Sequence, residues 1–469
     1  MQTNFLPHLL ADPDTRLAES ILRKCVHCGF CTATCPTFLE LGDELDSPRG
    51  RIYLIKNMLE EGRPADAETV THLDRCLSCL SCMTTCPSGV DYMHLVDHAR
   101  AHVEKTWRRP LVDRVVRRGL AIVLTRPTLF RLALIGAAML RVGIAATTAV
   151  GRATGLAGPA ARLAGRVPKA VALPIGAVAR RLSASLGLLP ARLARPSSVE
   201  RPQVIAATGP KRMRVSVLNG CAQPALDPGI NEATVRLLTR LGAEVVVARN
   251  VGCCGALEHH MGEEHRAHTH AARNIEAWHA EIEVGGLDRI VISTSGCGTT
   301  VKDYGHMFRN DPAMAAKAAK VASIARDVSE VVAELDLAGA LIPGPRPRLA
   351  YHSACSMQHG QKITTLPMEL LAKAGFEVVP VPESHVCCGS AGTYNILQSE
   401  MATRLRDRKV ANIATTGAQV IAAGNIGCMM QIGSALATPV VHTVELLDWA
   451  TGGPLPEKLA GRRGIARNG

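Results

Sequence analysis

Through roughly the last 260 residues, short runs of β-branched and aliphatic positions each end just before a cysteine. The runs are "MRVSVLNGC", "AEVVVARNVGCCG" and "DRIVISTSGC", and they recur as "RLAYHSAC", "FEVVPVPESHVCCG" and "AQVIAAGNIGC". Between them lie stretches of helical periodicity such as "NEATVRLLTRLG" and "MATRLRDRKVANIATTG". Alternation of this kind predicts βαβ units with parallel strands, whose carboxyl ends bring the cysteines to the edge where open α/β sheets bind ligands.

Nearer the start the period changes. In "SPRGRIYLIKNMLEEG" the apolar residues Ile52, Leu54, Ile55, Met58 and Leu59 lie near helical spacing, and "VDYMHLVDHARAHVEK" reads as a second helix. On that helix His94, His98 and His102 recur every fourth place, which predicts a solvated stripe. The N-terminal part is therefore expected to be helical.

A third pattern separates these two. From 110 to 199 there are 14 Lys or Arg against the single acid Asp113, so this segment accounts for the whole net charge of +12. It is rich in Ala, Leu, Gly and Pro, as in "RPTLFRLALIGAAMLRVGIAATTAV". The uncharged stretch "VGIAATTAVG" between Arg141 and Arg152 is ten residues long, too short for a membrane span. Amphipathic helices on an anionic membrane surface or an acidic partner are one reading, and a flexible solvated connector is the other. Nucleic acid is not expected, because the segment lacks interleaved aromatics and any recognition motif.

The length of 469 residues suggests roughly three domains. The 47% hydrophobic content is ample for packed cores, although aromatics are only 3%. Sixteen cysteines change the picture more. The opening "MQTNFLPHLLADPDTR" lacks the basic start and apolar run of a secretory signal, so a reducing compartment is expected and clustered thiols read as metal ligands or redox groups rather than disulfides.

Two copies of CxxCxxCxxxCP stand out. The first, "CVHCGFCTATCP", holds Cys25, Cys28, Cys31 and Cys35, and the second, "CLSCLSCMTTCP", holds Cys76, Cys79, Cys82 and Cys86. In such a run three cysteines hold one cubane and the fourth completes the other. The expected sets are Cys25, Cys28, Cys31 and Cys86 for one [4Fe-4S] cluster, and Cys76, Cys79, Cys82 and Cys35 for a second. Structural zinc is the weaker reading, since zinc frames use paired CxxC halves. Arg49 and Arg51 either offset the charge of a cluster or sit on the surface.

The later cysteines form a repeat. Cys221, Cys253 and Cys254 are matched by Cys355, Cys387 and Cys388 at an offset of 134 residues, and Cys297 by Cys428 at 131. One duplicated module accounts for this. Adjacent strand residues face opposite sides, so each doublet must sit in a turn to aim both thiols at one site, and Gly255 and Gly389 permit the positive φ such a turn needs. Each set of four suits an iron-sulfur cluster or zinc, with inert buried thiols or a strained vicinal disulfide as alternatives. No GxGxxG opens a helix after a strand, so flavin or nicotinamide chemistry is expected on another chain, and no catalytic residue is expected here.

Paired CxxCxxCxxxCP motifs followed by two CCG modules resemble the iron-sulfur subunits of membrane-associated 2-hydroxyacid oxidoreductases and the heterodisulfide reductase group. The segments "DSPRGRI", "SGCGTTVKDYGHMF", "QHGQ", "CCGSAGTYNILQ" and "NIGCMMQ" are most similar to the glycolate oxidase iron-sulfur subunit family. The resemblance covers about 1–107 and 211–450 and implies an α+β multidomain chain: a helical two-cluster ferredoxin domain at 1–107, a basic connector at 108–208, CCG modules with parallel sheets at 209–345 and 346–455, and a tail at 456–469. It also implies electron relay from FAD-binding glycolate oxidase subunits to a quinone or other membrane acceptor at the cytoplasmic face of the inner membrane, where the composition of the basic segment offers a peripheral contact. The same layout serves lactate or glycerol-3-phosphate oxidising complexes. A heterodisulfide-reductase-like thiol-disulfide enzyme is a further alternative, but "CGTT" and "CMMQ" close each module with a single cysteine where that group often has CxxC, so its noncubane cluster is not carried over.

Overall fold

The structure, a computed structural model, describes residues 1–153, 181, 183–190 and 192–462. Most of the basic segment between 154 and 180, and the tail beyond 462, lie outside the described residues.

The N-terminal part is helical. Its main helices are α1 (Pro13–Lys24), α2 (Pro48–Glu60), α3 (Ala67–Asp74) and α4 (Tyr92–Thr106). Side chains cap their first turns: Asp12 accepts from Thr15 N at 2.9 Å, Ser47 Oγ from Gly50 N at 3.0 Å, and Asp66 from Thr69 N at 2.7 Å. Such caps are each worth about 1 kcal/mol. The expected apolar face of α2 is buried throughout, and Ile52, Ile55, Met58 and Leu59 pack with Ile21 and Leu22 of α1 and Leu95 and Val96 of α4. Burying side chains of this size stabilises by about 1.5–3 kcal/mol each.

The C-terminal part carries two sheets. The first contains β1 (Gln203–Ile205), β2 (Met213–Val217), β3 (Ala243–Val247), β4 (Arg289–Ile292) and β5 (Ala325–Asp327) in the order β1-β3-β2-β4-β5. Only β1 runs antiparallel to its neighbour. The second contains β6 (Leu349–His352), β7 (Val378–Pro380), β8 (Val420–Ala423) and β9 (Val440–His442) in the order β7-β6-β8-β9, all parallel. Without β1 the two orders are the same, so the cysteine repeat is a repeat of fold. Every residue of β6 and β8 is buried, which explains their continuous apolar runs.

The modules face each other across their carboxyl edges. Ser295 N donates to Gly424 O at 3.1 Å, Thr299 Oγ1 to Ser356 O at 2.8 Å, and Gln361 Nε2 to Ser295 O at 2.9 Å. On the flank, Arg236 and Arg240 each pair with the buried Asp448 at 2.8 Å.

The described start of the basic segment is helical: α5 (Leu111–Leu124) and α6 (Pro127–Ala153). Arg109 and Arg117 pair with Asp74 at 2.7 and 2.8 Å, and Arg131 pairs with Glu200 at 2.6 Å, so both helices are tied to the folded body. No single described helix is long and apolar enough to cross a membrane; α5 and the first part of α6 pass that test only together, and they meet at 116°.

One expectation is corrected. The His94, His98 and His102 face of α4 is not a solvated stripe. His94 bonds Asp91 at 2.6 Å and Asp303 at 3.0 Å and stacks on His306 with ring centroids 3.4 Å apart, while His102 Nε2 donates to Arg63 O at 3.0 Å. The periodicity marks a face, and here the first module covers it.

Candidate iron-sulfur centres and the cavity between the modules

Each N-terminal motif is folded by two residues of positive φ at matching places: His27 (57°) and Gly29 (86°) in the first, Ser78 (50°) and Leu80 (62°) in the second. Left-handed residues wind the chain tightly enough for three successive cysteines to fall on one side. Cys25, Cys28, Cys31 and Cys86 line one cavity, which Cys82 also touches, and Cys35, Cys76, Cys79 and Cys82 line another. The last cysteine of each motif thus reaches the other motif's cavity. All sixteen thiols are free, and a four-thiol donor set around a small buried space fits an iron-sulfur cluster.

Arg51 is the charged group built into the second cavity. Its side chain is 1% exposed; Nε donates to His72 O at 2.7 Å, Nη2 to Thr37 Oγ1 at 3.0 Å, and Nη1 lies 3.9 Å from Cys35 Sγ. It pairs with the fully buried Asp46 at 3.2 Å. Burial works against its charge, but Cys76, Tyr92, Cys35 and Asp46 outweigh this and push its pKa up. Arg49 is the more exposed of the two, holding Glu44 at 2.7 Å and His27 O at 3.3 Å. Burial pushes the Cys79 and Cys82 thiols well up, so these cysteines become thiolates when a bound cation compensates them.

In the modules every expected thiol lies just beyond a strand: Cys221 after β2, the Cys253-Cys254 doublet after β3, and Cys297 on α7 (Ser295–Lys302) after β4. Cys355, Cys387, Cys388 and Cys428 follow β6, β7 and β8 in the same way. The doublets do sit in turns. Gly255 and Gly389 have φ of 86° and 84°, and a Cβ there would stand 2.7 Å from Ala267 O and 2.5 Å from Ala402 O. Asn274 and Tyr304 hold the first doublet by its carbonyls, at 2.9 Å from Cys253 O and Cys254 O respectively. In the second module Cys355 and Cys387 have their sulfurs 3.8 Å apart.

His352 escaped the sequence reading. It ends β6 three residues before Cys355, and the sulfurs of Cys388 and Cys428 and a ring nitrogen of His352 all lie within 4.8 Å of one another. Burial keeps its imidazole neutral, pushing the pKa down to about 3. The signal was available in the repeat, which sets His352 against Leu218.

Between the two sets of module cysteines lies a cavity of about 400 Å³. Cys221, Cys297, Cys355 and Cys428 border it, and Leu124, Phe130 and Leu134 of α5 and α6 close it from the side of the basic segment. His260 and Leu77 also reach it. Its size and largely apolar walls with a few polar groups are those of a small-molecule site. Leu77 and Cys79 further pack in one buried cluster with Val386, Cys387 and Tyr394, so the second N-terminal cavity adjoins the second module.

Two ferredoxin-type motifs abutting paired cysteine-rich modules define an iron-sulfur subunit of an oxidoreductase complex. Residues 21–90 match the 4Fe-4S dicluster domain family, and residues 215–302 and 349–433 match the cysteine-rich domain family. The chain is 40% identical over 450 residues to the glycolate oxidase iron-sulfur subunit of Escherichia coli, covering 96% of this chain and 99% of that protein. It is 30% identical over 447 residues to the probable glycolate oxidase iron-sulfur subunit of Bacillus subtilis, covering 93% and 96%. Lactate utilization protein A of Bacillus licheniformis is 30% identical over 246 residues, half of this chain and 99% of that protein. The chain belongs to the glycolate oxidase iron-sulfur subunit family.

Proposed function

We propose that this protein relays electrons within a glycolate dehydrogenase complex, from FAD-binding partner subunits that oxidise glycolate to glyoxylate toward a quinone-type acceptor. The observation that carries the reading is the buried continuity from the Cys79 side of the N-terminal pair to Cys387 of the second module. Two [4Fe-4S] clusters, held by Cys25, Cys28, Cys31 and Cys86 and by Cys76, Cys79, Cys82 and Cys35, supply one-electron transfer when bound. The eight module cysteines form further metal or redox sites.

In this reading residues 1–107 are the relay, 209–345 and 346–455 the paired modules, and 108–208 the basic connector between them. The exposed Cys28, flanked by Val26 and Phe30 at 65% and 60% exposure, marks the side where a flavin partner docks. Arg51 offsets the negative charge of the second cluster, and Leu77, Val386 and Tyr394 keep water from the step toward the modules. The apolar cavity takes the acceptor. Peripheral attachment is supported by α5, α6 and the turn between them, where exposed Leu111, Val115, Leu132 and Met139 alternate with exposed Arg114, Arg118 and Arg126, a pattern suited to the cytoplasmic face of an anionic membrane.

Similarity to lactate utilization protein A over half the chain favours lactate as the second substrate reading. Reduction of a quinone analogue by the purified complex with glycolate, against lactate, chooses between them. Cys25→Ser should stop that reduction while glycolate still bleaches the partner flavin. Failure of flavin bleaching in an assembled complex counts against the relay.

A further inference from the structure

The imidazole of His352 is 1% exposed, and neither ring nitrogen has a hydrogen-bond partner among the described residues. Leaving a buried polar group unpaired is costly, so such groups are paired as a rule. What does surround it is thiol: Cys388 and Cys428 are both buried, and their sulfurs and a ring nitrogen of His352 lie mutually within 4.8 Å. Three convergent soft or borderline donors with no other partner for the nitrogen are a metal-binding arrangement.

The fold does not require an imidazole there. Leu218 occupies the equivalent place in the first module, 134 residues earlier like Cys221 relative to Cys355, and packs in an apolar cluster with Ile290, Ile292 and Tyr304. The two modules share strand order and cysteine placement, yet the second sets an imidazole where the first has an aliphatic side chain. The buried Lys409 is a near neighbour of the second set; its Nζ donates to Glu383 O at 2.6 Å, and its charge favours the Cys388, Cys387 and Cys428 thiolates.

We propose that His352, Cys388 and Cys428 ligate a metal centre of mixed imidazole and thiolate donors, particular to the second module, and that Cys387 or Cys355 completes it. The metal is one that accepts both donor types, iron or zinc. This rests on the reading that the module cysteines bind metal. Exchanging a thiolate for a neutral imidazole removes one negative charge from the ligand set, and iron so ligated is easier to reduce than iron held by thiolates alone. With iron bound, His352, Cys388 and Cys428 would hold a one-electron site able to accept the electron given up by a cluster bound beside Cys79, with no proton or bond exchanged. The second module is then the downhill end of the relay.

The test is metal counting and spectroscopy on the anaerobically purified chain and two variants. His352→Leu copies the first module and should fold; it is expected to lose the metal of one centre, while the signals of the N-terminal clusters remain as the control for folding. His352→Cys restores a donor and should retain the metal. In the unaltered protein, nitrogen hyperfine coupling in pulsed electron paramagnetic resonance identifies iron, and a mixed nitrogen and sulfur shell at the zinc absorption edge identifies zinc. Full metal retention by His352→Leu, or an all-sulfur shell, overturns the assignment of His352 alone. Metal confined to the N-terminal motifs of the unaltered protein overturns both this assignment and the reading beneath it.

Discussion

The Tyr394 hydroxyl donates a 3.0 Å hydrogen bond to the carbonyl of Arg75, the residue immediately before Cys76. One bond therefore ties the loop after the second module's doublet to the start of the second N-terminal motif. Tyr394→Phe leaves that carbonyl without its partner, at a cost of about 1–3 kcal/mol. The expected result is a lower unfolding temperature of the cluster-loaded chain and slower reoxidation of the N-terminal clusters, read by calorimetry and rapid-mixing absorbance.

Cys86 belongs to the second motif in sequence but lines the cavity of the first. Cys86→Ser should therefore perturb the centre of Cys25, Cys28 and Cys31, and Cys35→Ser the centre of Cys76, Cys79 and Cys82. Electron paramagnetic resonance of the two variants separates the signals. If each serine disturbed its own motif's centre, the crossed arrangement would be rejected.

Arg51→Met removes the buried cation that pairs with Asp46 and approaches Cys35 Sγ at 3.9 Å. Breaking a buried pair by deleting one partner costs about 3–5 kcal/mol when the other charge is left alone, and the loss here should be smaller because Arg75 and His72 still hold Asp46, at 2.8 and 3.0 Å. Loss of positive charge beside a cluster also disfavours its reduced form, so the midpoint potential of the second centre should move to more negative values. A redox titration followed by low-temperature spectroscopy reads the shift, and an unchanged potential would place the charge compensation elsewhere.

His94 joins the N-terminal part to the first module. Burial alone would lower its pKa, but hydrogen bonds to Asp303 and Asp91 outweigh burial and push it up to about 10, while burial and the neighbouring His94 push the stacked His306 down to about 4. A histidine whose folded pKa exceeds its unfolded value of 6.5 contributes stability that is fully present below about pH 6.5 and is lost as pH rises through about 10. Stability from this contact should fall across that window, and Asp303→Asn should flatten the dependence. Unfolding midpoints of the two proteins from pH 6 to 10 make the comparison.

Replacing Arg114, Arg118 and Arg126 together by Glu should weaken binding to vesicles of anionic lipid by at least about a hundredfold, since each basic residue near such a surface contributes about 1 kcal/mol. Binding to neutral vesicles should change little. Sedimentation at several salt concentrations tests this, and equal binding of both proteins to anionic vesicles would remove the arginines from the role.

Much of this was legible in sequence, for physical reasons that differ by element. Strands β6 and β8 are buried on both faces and so are continuous apolar runs, and a doublet followed by Gly389 announces a turn because only a residue without Cβ fits against Ala402 O. What periodicity does not carry is the identity of the covering partner. The face of α4 was legible but its contact with Asp303 and His306 was not, and the choice between the two readings of Arg51, beside a cluster or on the surface, needed α2 to bury it. The cavity is assembled from α5, α6, both modules and Leu77, so no local pattern announces it. His352 hid for a different reason: a single histidine ending an apolar strand looks like core until the two modules are laid on each other.

Because Cys86 closes a space whose other walls are built from Cys25, Cys28 and Cys31, the earliest thiols in the chain stay incomplete until translation has passed the last of the motifs. Each centre then needs both motifs in place before it has four thiols, so neither half of this body could be cut away and still hold a cubane of its own.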